Sequence, residues 1–379
     1  MRQLSGAVLD NGNVPVRHVT RRSFVSLCGM CGGLYASGRG EEFQSGVRRF
    51  ADALTEFPVS RLTDSSQACY LPNPASRFIA RKAQFILYAS DRTGAMQGFR
   101  LDMKSGESRE ITEGAGMLGD SLNLLPGDRE FCHFQGRVLW LASLSNLRSR
   151  AVYESPEGAR FDPASTVSEN GDHAAFVEKN EAAYRLQLVS LPKGGARTVL
   201  ETRDAISAPA IRPKRQSILY RGPDSSLWTV SFDGGGNAKL KVAEGGIGSA
   251  MWSRDGATVL YLNIPSDKRQ LHAIREIIPE TGEDRLVSKT SQFAAFAQNE
   301  DGSVFLGASA SKASPAMILL VRDVRRELTI CEHRASNPAE TRPAFSPNSQ
   351  SVFFQSDRSG KMAIYGMSVN RLVEETDDD

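Results

Sequence analysis

The stretch "ILYASDRTGAMQGFRLDMKSGESREIT", Ile86 to Thr112, has a partial echo in "VFFQSDRSGKMAIYGMSV", Val352 to Val369. Each copy holds an apolar run, a Ser-Asp-Arg, a glycine turn and a second apolar run. Similar strand cores recur between them: "VLWLAS" from Val138, "AAFVEK" from Ala174, "ILYRGP" from Ile218, "VLYLNI" from Val259 and "VFLGAS" from Val304. Successive spacings of 52, 36, 44, 41, 45 and 48 residues suit a four-stranded propeller blade. Within most units a polar turn such as "SRDGAT" or "NEDGSV" precedes the core strand. A second strand, a turn such as "KSGES" or "DGGGN" and a short outer strand such as "REIT" or "ELTIC" follow. No stretch of helical period is long enough to alternate with these strands, which argues against a βαβ fold.

Seven cores predict an all-β fold, a seven-bladed β-propeller of four-stranded antiparallel blades over residues 56–373. The last unit runs into "NRLVEET" without a fourth strand, whereas "FPVSRLTDSS", Phe57 to Ser66, reads as an outer strand without a blade. Val59 to Thr63 is therefore expected to complete the last blade and close the ring, setting the two Ser-Asp-Arg copies in neighbouring blades. In those copies Asp91 and Asp357 are read as acceptors of turn N–H groups, with Gly94 and Gly360 supplying a positive φ.

The ends read differently. Arg21 and Arg22 precede about fourteen apolar or small residues, Ser23 to Ala36, too short to span a bilayer and ordered like a secretory signal. Thr20 to Val25 resembles the twin-arginine export motif. Residues 1–38 are accordingly expected to be a signal peptide, carrying away the C-x-x-C of Cys28 and Cys31, and the mature protein to be periplasmic or secreted with no membrane span. Residues 39–55 are expected to be a linker or short helix, and residues 374–379 an acidic disordered tail. The formal charge of +2 falls near −1 once the first 38 residues are set aside, and no basic stripe remains for nucleic acid. Cys69, Cys132 and Cys331 define no disulfide framework.

The grammar of "YASDRTGAMQGFRLDMKSGESREITEG", together with "FSPNSQSVFFQSDRSGKMAIY" near the end, resembles the oligogalacturonate lyase family, seven-bladed propellers related to TolB-type repeats. The likeness covers the chain from about Phe57 to Val369. It implies β-elimination on unsaturated galacturonide fragments, with a base for the C5 proton, positive charge on the uronate carboxylate and often a divalent metal such as manganese.

The resemblance also places a His-Pro-His before the final blade's first strand, where this chain reads Glu340-Thr341-Arg342-Pro343-Ala344, Arg342 standing where the second histidine would be. The metal set is therefore expected to be missing, with no metal or other cofactor assigned. Of the remaining histidines, His333 before the last blade is the best placed for a site. Arg212 of "APAIRPKRQ" stands where the resemblance puts a substrate-contacting Arg-Pro, and it is the expected catalytic and carboxylate-clamping residue. His333, Arg334, Glu340 and Arg342 are expected to line the same substrate site. Two function classes remain: a lyase-like propeller for acidic oligosaccharides, and a non-catalytic TolB-like module binding a protein or glycan.

Overall fold

The computed structural model describes residues 39–372. The expected signal peptide and acidic tail lie outside the described residues. Within them the chain builds seven antiparallel sheets of four or five strands, and in blades 2 to 6 the first strand is innermost. In blades 2 to 6 the four strands follow in chain order: Asn123–Leu124 to Ser149–Glu154, Arg160–Val167 to Ala196–Thr202, Ser207–Ile211 to Ala238–Lys239, Gly246–Trp252 to Asp284–Lys289, and Phe293–Gln298 to Arg326–Glu332.

Each middle strand has a blade on either side, so its residues are buried on both faces. Every residue of Phe85–Ser90 and Val304–Ser309 is buried, which explains why these strands read as apolar runs rather than alternating ones. The apolar clusters lie between neighbouring blades: Phe134 and Phe176 join blades 2 and 3, and Val177 and Tyr220 join blades 3 and 4. Each large side chain buried there contributes roughly 1.5–3 kcal/mol. Gly307 has no room for a larger residue, because a Cβ would stand 2.1 Å from the Phe293 ring packed across it.

The second blade departs from the expected register. "VLWLAS" is its third strand, Val138–Ser143, and its second is Glu130–Gln135. That strand carries His133 and Gln135 at positions where its neighbours are more apolar, so the more hydrophobic strand stood out. Counted from Phe131, the uneven spacings of 52 and 36 become 45 and 43.

Blades 1 and 7 take up the N-terminal segment. Pro58–Arg61 lies antiparallel to Lys361–Ser368, with Ser60 opposite Gly366 and Arg61 opposite Tyr365. Residues 39–55 correct the expectation of a linker or short helix. Arg48–Ala51 pairs with Pro58–Arg61 as a fifth strand of blade 7, and Glu42–Phe43 pairs with Ser108–Glu110 as a fifth strand of blade 1. Free sheet edges offer partners that local propensity does not reveal. Gly46, whose Cβ would meet the Asp64 backbone at 2.9 Å, lets the segment pass closely between the two edges.

The repeated Ser-Asp-Arg turns serve this strap. Their aspartates do not take N–H groups of their own turns as expected: Asp91 accepts the Ala68 N–H at 2.9 Å and Asp357 the Ser336 N–H at 2.8 Å, while Ser90 and Ser356 accept the turn N–H groups of Arg92 and Arg358. Gly94 and Gly360 have φ of +90° and +104°. Arg92 lies 4.0 Å from the Phe43 ring centroid and Arg358 lies 5.3 Å from that of Phe50, so equivalent arginines each hold one phenylalanine of the strap.

Candidate functional site

The link from blade 6 to blade 7, residues 333–343, brings His333, Arg334, Glu340 and Arg342 to one end of the ring. Asn337 opens a short turn, Pro338–Glu340, by accepting the Ala339 N–H. Thr341, fully buried, donates its hydroxyl to the Pro338 carbonyl at 2.8 Å. Gln355 then ties the link to blade 1. Its Nε2 donates to the Glu340 carbonyl at 2.8 Å, and its Oε1 accepts the Leu71 N–H at 2.8 Å.

These contacts hold Arg342 in a left-handed conformation, φ +47°, just before the innermost strand of its blade. Its guanidinium donates to the Leu71 carbonyl at 2.5 Å and forks onto the Asp120 carboxylate, Nη2 to Oδ2 at 3.0 Å. Asp120 belongs to Gly119–Ser121, on the approach to blade 2. One arginine thus reaches from blade 7 past blade 1, and both side chains of the pair stay partly exposed. A planar fork suits a carboxylate in this way.

The other three residues of the link differ in role. His333 is fully buried: its Nε2 donates to the Ser309 carbonyl at 3.0 Å, and its Nδ1 accepts the Ala335 N–H at 2.9 Å. Those bonds fix a neutral tautomer, and burial holds the imidazole below the ordinary histidine range. Neither nitrogen is free for a ligand, so His333 fastens blade 6 to the link. Arg334 is exposed and pairs with Glu332, Nε to Oε2 at 2.8 Å. Glu340 is exposed and accepts from Asn337 at 2.9 Å.

Arg212 does not join them. It follows the innermost strand of blade 4, whereas Arg342 precedes that of blade 7. Innermost strands run side by side in one direction, so the two lie at opposite ends of the ring. The Arg212 side chain is buried. Its Nη1 pairs with Glu280 at 2.7 Å, its Nε donates to the Gly256 carbonyl at 2.6 Å, and its carbon centre lies 4.6 Å from the Trp252 ring centroid. The guanidinium that sequence assigned to catalysis bolts blade 4 to blade 5, and it has no open donor face for substrate.

At the position where the resemblance implies the second metal-binding histidine stands Arg342. Arg342 fills it with fixed positive charge, and among the described residues no group of three or more His, Cys, Asp or Glu is placed to hold one.

Two residues at this end escaped the sequence reading. Asp120 sits 222 positions from Arg342, and nothing in "LGDS" signals the pairing. Arg221, at the end of Ser217–Arg221, donates to carbonyls of Gly248 and Ser225, and burial lowers its pKa. Only a periodic count placing both next to innermost strands would have drawn attention to them.

The architecture defines a seven-bladed β-propeller with an arginine–aspartate pair at one end of its ring. The protein is similar over most of its length to oligogalacturonate lyases. It is 23% identical to an oligogalacturonide lyase of Pectobacterium atrosepticum and 20% identical to an oligogalacturonate lyase of Dickeya dadantii, covering 86% of this chain and 97% of each relative. The solved structure of an oligogalacturonate lyase in complex with manganese superposes with a TM-score of 0.82 at 21% identity, over 88% of this chain and 98% of that one. The Vibrio parahaemolyticus oligogalacturonate lyase gives 0.81 at 20% identity, over 89% of this chain and all of the other. No family model matches the chain.

Proposed function

We propose that the protein recognises uronate-bearing oligosaccharides at the blade 7, 1 and 2 end of its ring, with Arg342 as the carboxylate contact. The observation that carries this is the partly exposed fork of Arg342 on Asp120, a carboxylate that a uronate exchanges for its own. The full-length likeness to lyases supports the substrate class. In a β-elimination the proton leaves the carbon next to the carboxylate, and charge builds on the carboxylate oxygens. An arginine fork stabilises that charge most where water is scarce.

A second reading is a non-catalytic propeller that binds a uronate glycan or a protein partner. It is favoured by the cation at the position where the resemblance implies metal ligands. Both readings include export through the twin-arginine-type leader to the periplasm or medium. Among the described residues no helix is long and apolar enough to cross a membrane.

The test is incubation of the purified protein with unsaturated digalacturonate, with and without manganese, following ultraviolet absorbance, beside calorimetric binding of the same sugar. Turnover that Arg342→Gln removes supports the lyase reading. Binding without absorbance change under any metal condition leaves the binding module. Neither turnover nor binding would sink the uronate assignment, and fractionation that finds the protein only in the cytoplasm would sink export.

A further inference from the structure

The interface between blades 1 and 2 is closed at one end and open at the other. Along the second blade, Phe131 and Ala142 face blade 1 and pack into its core. Further along the same face stand His133, Gln135 and Trp140, with Trp140 directly opposite His133 across the sheet. Blade 1 does not fill the space before them, and a cleft of about 380 Å³ remains, walled on its other sides by Arg39, Glu113 and Ser149. That volume lies within the range of small-molecule sites. At the corresponding level of the next interface the gap is closed: Glu178 accepts from Tyr153 at 2.6 Å and from Gln187 at 2.9 Å.

Three features of the wall point to a ligand. His133 is buried to 3% exposure, yet its Nδ1 has no hydrogen-bond partner, an uncommon state for a buried nitrogen. Burial keeps the ring neutral, with a pKa lowered to about 3, so Nδ1 can act as a neutral donor or acceptor. The Arg39 guanidinium is held by the Ile111 carbonyl and the Ser149 hydroxyl, each at 3.3 Å. Its approach to Glu113, at 3.7 Å, is looser than a hydrogen bond, leaving donors for an anion. Trp140 is only partly buried and offers an apolar ring beside these polar groups.

We infer that this cleft binds a small carboxylated sugar ring. Arg39 takes the carboxylate, Trp140 the apolar ring face, and His133 Nδ1 a hydroxyl. The site shares its ligand class with the proposed function but none of its residues, so either can fail alone. It gives the propeller a second hold on an acidic chain, on residues other than Arg342.

The experiment is calorimetric titration of the full chain with galacturonate, glucose serving as the uncharged control, alongside far-ultraviolet circular dichroism. In an Arg342→Gln background, which removes the contact of the proposed site, saturable galacturonate binding is expected, and adding Arg39→Gln weakens it at least tenfold. Trp140→Ala should weaken it more than Trp140→Phe, which keeps an aromatic face. Absence of saturable binding, equal binding of glucose, or binding that a folded Arg39→Gln variant retains overturns the inference. Should Arg342→Gln abolish digalacturonate binding while Arg39-dependent galacturonate binding is absent, the proposed function stands and this site falls.

Discussion

Two arginines in this chain precede a proline beside an innermost strand, Arg212-Pro213 and Arg342-Pro343, and they do opposite work. Arg212 is buried against Trp252 and pinned by Glu280 and the Gly256 carbonyl. Arg342 donates to the Leu71 carbonyl and forks onto Asp120, with both side chains of that pair partly exposed. The difference lies in which side of the strand each occupies. After the strand, the chain turns back into its own blade and the next blade packs on it; before the strand, it arrives from the preceding blade at the opposite end of the ring. Arg212 is thus structural, and Arg342 is the arginine proposed to meet a carboxylate.

Substitutions at the two ends should separate stability from recognition. The largest effect is expected from Arg212→Ala, which strands buried carbonyl acceptors and removes a ring contact. Unfolding free energy should fall by about 3 kcal/mol in urea titrations, with uronate binding intact in the folded fraction. Loss of binding without loss of stability would reverse the assignment of the two arginines. Next, Arg342→Gln should weaken digalacturonate binding by roughly 2 kcal/mol, about thirtyfold by calorimetry, while stability changes less than in Arg212→Ala.

Asp120→Asn should act with the opposite sign. By freeing the fork it should strengthen uronate binding by about 1 kcal/mol; weaker binding would mean that Asp120 positions Arg342 rather than competing for it. Smaller still, Glu280→Gln should cost less than about 1 kcal/mol, because Glu280 is half exposed and Arg212 keeps its carbonyl partners.

Acid should loosen the two ends at different pH. His333 lies below its ordinary value of 6.5 in the fold, so the unfolded chain binds more protons as pH drops below 6.5, and stability is lost from there downward. Glu280 is held below 4.5 by its hydrogen bond to Arg212, so its contribution is lost only as pH falls past 4.5. Amide exchange near Ala335 should therefore rise at higher pH than exchange near Gly256. Simultaneous onset at both places would show that neither group controls its own end.

The blade rhythm was legible because burial of middle strands on both faces writes apolar runs at a steady interval. It failed locally where that burial is incomplete. The second strand of blade 2 carries His133 and Gln135 beside an open cleft, so the stronger third strand took its place in the count. The N-terminal segment was misread for a related reason: its strands form because blades 1 and 7 present free edges, not because "EEFQ" or "RRFA" favour extension. For the site, the sequence reading joins Arg212 to His333, Arg334, Glu340 and Arg342, and the structure keeps only the last four on one link. His333 nonetheless proved to be a satisfied core histidine, and Arg212 proved to lie at the other end.

Periodic apolar runs and turn residues determined by themselves that this chain is a ring of seven sheets, and that its Ser-Asp-Arg turns are structural. At which end of the ring each arginine lies, which carboxylate meets it and where two blades fail to close were decided only by tertiary structure. Those properties depend on groups as far apart as Asp120 and Arg342, and a pairing across the ring leaves no mark on the residues beside either partner.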